Sequence, residues 1–113
     1  MKTIKRLMAI NLGLVALQPL SAGFLLSGFT HAATAHAVVA VALLLVAAIQ
    51  CVTAMVLWLR RRLSLRVAGL CVGLLTMVMV EVWAGRHMQF WLHVPLGVSI
   101  IGVLRGRMDK RAE

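Results

Sequence analysis

The chain has 113 residues, 62% of them hydrophobic and only 13% charged, with a formal net charge of +9 and a mean hydropathy of +0.97. A soluble domain carries about 25% charged residues. Here the apolar residues come in long uninterrupted runs, which excludes an ordinary soluble domain and points to an integral membrane protein. The basic residues gather between those runs, where they meet lipid head groups, so the bilayer and not nucleic acid is the expected partner.

The first apolar run extends from about Leu7 to Phe29. Its start, MKTIKRLMAINLGLVALQPLSAGF, has the basic head, apolar stretch and small residue (Ala22) of a secretory signal. The run continues through GFLLSGF, however, so the expectation is a retained span. The second run extends from Ala32 to Leu59, the third from Leu63 to Ala84, and the fourth, the shortest, from Met88 to Leu104. A hydrocarbon core of about 30 Å needs about 20 predominantly apolar residues in a helix. The separators SGFTHAAT, RRRL and AGRHM are too short for a further domain and join neighbouring helices as antiparallel hairpins. The lack of period-two alternation excludes a transmembrane barrel. The expected fold is an all-α integral membrane protein, one domain over residues 1–113, with four transmembrane helices in an up-down-up-down bundle. Pro95 falls in the early turns of the fourth helix, where a missing N–H does least harm.

Basic residues set the orientation. Lys2, Lys5 and Arg6 precede the first span, Arg60, Arg61, Arg62 and Arg66 lie at the middle turn, and Arg105, Arg107, Lys110 and Arg111 follow the fourth span. Only Arg86 stands at the other side. The positive-inside rule then puts both termini in the cytoplasm, in what is expected to be a bacterial inner membrane.

All four histidines, His31, His36, His87 and His93, lie at the outer mouths of the second and fourth spans. These two helices run in the same direction and face each other diagonally across a four-helix bundle. His36 and His93 each sit a few residues inside their span, at similar depth, which suits two axial ligands of one haem. Ala40 and Gly97 each follow a histidine by four positions, leaving a small residue one turn below on the same face. Gly23 and Gly85 supply room from the first and third helices, and Arg86 lies just above, within reach of haem propionates. His31 and His87 are five and six positions from their neighbours and do not share a face with them. They are interfacial residues or, as a less favoured alternative, ligands of a second haem.

The segments Q18PLSAG23, H36AVVA, E81VWAG85 and H93VPLG97 together resemble one four-helix half of the haem A synthase type, and also the small four-helix b-type cytochromes. That resemblance implies axial ligation by His36 and His93. The chain lacks a second bundle and an outer-loop cysteine pair, so the resemblance does not carry synthase activity with it. The cytoplasmic half holds no histidine, so one chain could not stack bis-histidine haems across the bilayer. Its redox role is then confined to the outer side, or needs a redox partner, a larger membrane complex or a homo-oligomer.

Glu81 is the sole acid within a span, an intramembrane position that calls for a proton-carrying or ligand-supporting role. Gln18 and Gln50 suit interhelical hydrogen bonding, and Cys51 and Cys71 read as small buried apolar groups on the cytoplasmic side. The leading expectation is a membrane protein binding one haem b, for electron transfer or as a haem-carrying accessory subunit. Two alternatives stay open: a small proton-coupled transporter using Glu81, and a copper or zinc protein using the outer histidines, with Met88 beside them. No hydrolase, transferase or nucleotide motif is legible, so no enzyme is expected.

Overall fold

A computed structural model of the protein describes residues 2–112. It is all-helical: α1 spans Lys2–Leu26, α2 Ala32–Leu59, α3 Leu65–Arg86 and α4 Phe90–Ala112. Helices α1, α2 and α3 are long and apolar enough to cross a membrane, whereas the apolar part of α4, Trp91–Gly106, is shorter. Expected and observed limits coincide for α2. The others differ at their ends, because helix propensity carries the backbone through the basic residues at Lys2 to Arg6 and beyond Leu104, where apolar character has already stopped. The third helix starts two residues late because Ser64 caps it, its Oγ accepting from the Val67 N–H at 3.3 Å.

Three helices end in the same way. The chain turns left-handed at Gly28 (φ +86°), Arg61 (φ 57°) and Met88 (φ 57°). Around each, two backbone bonds close the last turn: Phe29 to Phe24 and Gly28 to Leu25, Arg62 to Leu57 and Arg61 to Trp58, Gln89 to Ala84 and Met88 to Gly85. This is the Schellman closure, which satisfies carbonyls that otherwise lack partners. Only the first of the three uses glycine, the residue that adopts this conformation without a Cβ penalty.

The helices form a ring in which α1 packs on α2, α2 on α3, α3 on α4 and α4 on α1, leaving α1/α3 and α2/α4 as the diagonals. A core of Val15, Leu43, Ala47, Leu74, Val78, Ile100 and Leu104 draws on all four. A second cluster, Ile4, Met8, Ala54, Leu63 and Cys71, closes the basic end of the molecule. Two polar residues join this apolar interior: Gln50 is 1% exposed while Ile49 and Val52 on the outer side of α2 are 55% and 64% exposed. Asn11 is also fully buried and donates from Nδ2 to Gln50 Oε1 at 2.6 Å, and Gln50 Nε2 donates to Cys71 Sγ at 3.5 Å. This polar ladder ties α1, α2 and α3 together toward the basic end of the bundle.

Proline falls inside two helices, at Pro19 and Pro95. Since α4 begins at Phe90, Pro95 lies in its second turn and withdraws an N–H from the Trp91 carbonyl, a somewhat costlier position than the first turn.

Candidate functional site

At the end of the ring opposite the basic cluster, the start of α2 and the start of α4 bring His36 and His93 together across the diagonal. Their ring centres are 6.2 Å apart and their planes stand at 73°. Both side chains are half-buried.

Each imidazole is held by a different neighbouring helix. His36 Nδ1 lies 2.9 Å from Ser21 Oγ of α1, and Ser21 donates its own hydroxyl hydrogen to the Gln18 carbonyl at 2.9 Å. The Ser21 hydroxyl thus bridges the Gln18 carbonyl and His36 Nδ1. His93 Nδ1 lies 3.1 Å from the backbone carbonyl of Glu81 and 3.0 Å from Glu81 Oε1, both on α3. A carbonyl only accepts. The carbonyl contact puts the His93 proton on Nδ1, which leaves its Nε2 as the nitrogen with a lone pair.

Among the described residues Asn11 Oδ1, Gln18 Oε1 and Glu81 Oε2 are buried side-chain oxygens with no hydrogen-bond partner, and the last belongs to the residue that meets His93.

The expected small residues divide. A Cβ at Gly85 would meet His93 Cε1 at 2.8 Å, and one at Gly97 would meet Glu81 Oε1 at 2.9 Å, so these two glycines give clearance to the His93–Glu81 pair. Gly23 is open, with nothing within 4 Å of an added Cβ. Ala40 is half-buried one turn below His36, and Arg86 is exposed in the last turn of α3.

His31 and His87 do not join the site. His31 is the exposed N-cap of α2. His87 closes α3, its Nδ1 2.9 Å from the Trp83 carbonyl and its ring stacked on Trp83 at 4.7 Å. Among the described residues no three His, Cys, Asp or Glu side chains gather into a metal-ion site. A copper or zinc centre built from all four outer histidines therefore has no geometric counterpart.

Sequence reading passed over Ser21 and Asn11. A hydroxyl in an apolar helix is usually satisfied by its own backbone, as Ser27, Thr53, Thr76 and Ser99 are here. Only the register of α1 against α2 shows that Ser21 also meets His36. No family model, curated protein or solved structure matches this chain.

Proposed function

We propose that this chain is a membrane-embedded haem b protein in which His36 and His93 are the axial ligands of one haem near the outer face of an up-down-up-down bundle. Paired contacts run in opposite sequence order in two of the hairpins: Asn11 with Gln50 and Ser21 with His36 between α1 and α2, and Glu81 with Gly97 and Gly85 with His93 between α3 and α4. The molecule is 49 Å long, enough for a bilayer of about 40–45 Å including head groups. In this reading α4 crosses as the fourth span, with its basic tail and both termini in the cytoplasm.

The observation that carries the reading is the spacing of the two imidazoles. With a metal–nitrogen bond of about 2.0–2.1 Å, an imidazole ring centre stands roughly 3 Å from its metal, so two ligands on opposite sides of one metal have centres roughly 6 Å apart. The observed 6.2 Å supports that reading, and with its proton on Nδ1 His93 has Nε2 to offer a metal. Haem bound this way supplies a one-electron couple with both axial positions filled. The chain's own residues would then hold and orient: Ser21 and Glu81 support the rings, and Arg86 is available to propionates. Electron transfer with a membrane partner, or service as a haem-carrying subunit, follows from that closed coordination.

The test is the visible spectrum of the purified chain. A coloured protein with one haem is expected, with His36→Ala or His93→Ala losing most of the absorbance and His31→Ala or His87→Ala keeping it. A wild-type chain that stays colourless and takes up no added haem would overturn the proposal and shift weight to proton-coupled transport through Glu81.

A further inference from the structure

The two imidazoles have unlike supports. His36 rests on a hydroxyl, whereas His93 rests on a carboxyl oxygen and a backbone carbonyl of the same residue. The second support is also the more constrained. Glu81 Oε1 reaches His93 by lying over Gly97, where a Cβ would stand 2.9 Å from it. Contacts of 2.9 Å to a Cβ are essentially absent from proteins, so the carboxyl group can occupy this place only because residue 97 has no side chain. The His93 ring meets the same condition at Gly85, at 2.8 Å. Gly13, Gly69, Gly102 and Gly106 have nothing within 4 Å of an added Cβ, so close approach is confined to the two glycines beside this pair.

We propose that Glu81 is the positioning residue of His93, seated by the missing side chain of Gly97, and that the two axial ligands are consequently inequivalent. The inference rests on the haem reading and assigns a task within it. A relay from Gly97 through Glu81 to His93 joins α3 and α4 through a carboxyl group, while α1 supports His36 through neutral groups alone, the Ser21 hydroxyl and the Gln18 backbone. Histidine ligands generally donate their second N–H to a carboxylate or carbonyl that fixes the ring and raises its basicity; His93 Nδ1 meets the Glu81 carbonyl at 3.1 Å, with Glu81 Oε1 3.0 Å from the same nitrogen. The buried, unpartnered Glu81 Oε2 fits this assignment. Glu81 accepts the cost of one unsatisfied oxygen to keep the other on His93.

The experiment compares the full chain in lipid with Gly97→Ala, Glu81→Ala, Glu81→Gln and the control Gly102→Ala, by haem titration and by side-chain nitrogen NMR of the histidines. Gly97→Ala and Glu81→Ala are each expected to weaken haem binding about 10–100-fold, the usual consequence of losing such a support. Their combination should cost no more than the worse single change, since both remove one contact. Glu81→Gln, whose amide oxygen can accept the same bond, should restore most of the affinity, and Gly102→Ala should bind as wild type. In the haem-free chain the His93 Nδ1–H resonance should shift in Gly97→Ala while the His36 ring nitrogen resonances stay in place. Haem affinity and a His93 resonance both unchanged in Gly97→Ala would overturn the positioning role even if the wild type is a haem protein. A wild type that binds no haem would instead overturn the reading beneath it, and the NMR comparison separates the two.

Discussion

A single methyl group decides more at Gly85 than at most places in this chain. An alanine there would press its Cβ against His93 Cε1 at 2.8 Å and Nδ1 at 3.1 Å, the ring edge that Glu81 also meets from one turn earlier on α3. Gly85→Ala is therefore expected to destabilise the chain by about 1–3 kcal/mol, the range for overpacking a tight site, and to displace His93. Gly69→Ala on the same helix meets nothing and should be neutral or gain up to about 1 kcal/mol from helix propensity. Thermal unfolding in detergent checks both. At this scale the sequence showed His36, His93, Glu81 and the small residues around them, since charged or imidazole groups in apolar runs stand out. It did not show which small residue serves which neighbour. Gly97, four positions after His93, looked like room below that histidine on its own helix, whereas its space is taken by Glu81 from α3. That depends on rotation of α3 against α4, which residue spacing within one helix does not encode.

Helix ends were legible where apolar runs stop and less so where helices actually terminate. The Arg60–Arg62 stretch reads as a topology signal, and it does carry charge, but Arg61 is also the left-handed residue of a Schellman closure. Met88 holds the same position after α3. A non-glycine residue in this conformation costs roughly 1 kcal/mol or somewhat more, so Met88→Gly should stabilise the α3–α4 turn by about that amount, offset in part by greater freedom of the unfolded turn. Gly28→Ala at the equivalent place after α1 should destabilise by a similar amount. Guanidine or thermal denaturation of the three variants against wild type measures both signs. The polar ladder of Asn11, Gln50 and Cys71 belongs to this scale as well. Lipid chains are as apolar as the core residues, so burial gives little drive for helix association in a membrane. Interhelical hydrogen bonds and close packing fix the register instead, and that register brings Ser21 to His36. Gln50 was identifiable as an interhelical group from sequence. Its partner on α1 was not, because Asn11 looks no different from any polar residue near the start of a span.

For the whole molecule, composition pointed to apolar helices, three of which are long and apolar enough to cross a membrane, and the ring of helices puts α2 and α4 on a diagonal. The fourth helix was harder to judge. Its apolar part is short, and its basic tail continues as helix through Ala112, so hydropathy and helicity give different ends. The orientation proposed from the basic residues has a direct check: a thiol placed at Thr30 or Gln89 should react with membrane-impermeant reagents from outside, and a reporter after Glu113 should be active only in the cytoplasm. Labelling of those thiols only from the cytoplasm would move the histidine site to the opposite face. The claim on which everything else depends is that His36 and His93 bind one iron between them. Electron paramagnetic resonance of the oxidised, purified chain tests it most directly. Two imidazoles at 73° should give a low-spin, strongly anisotropic ferric signal accounting for one iron per chain. A high-spin signal, or a low-spin signal that survives in His36→Ala or His93→Ala, would contradict it.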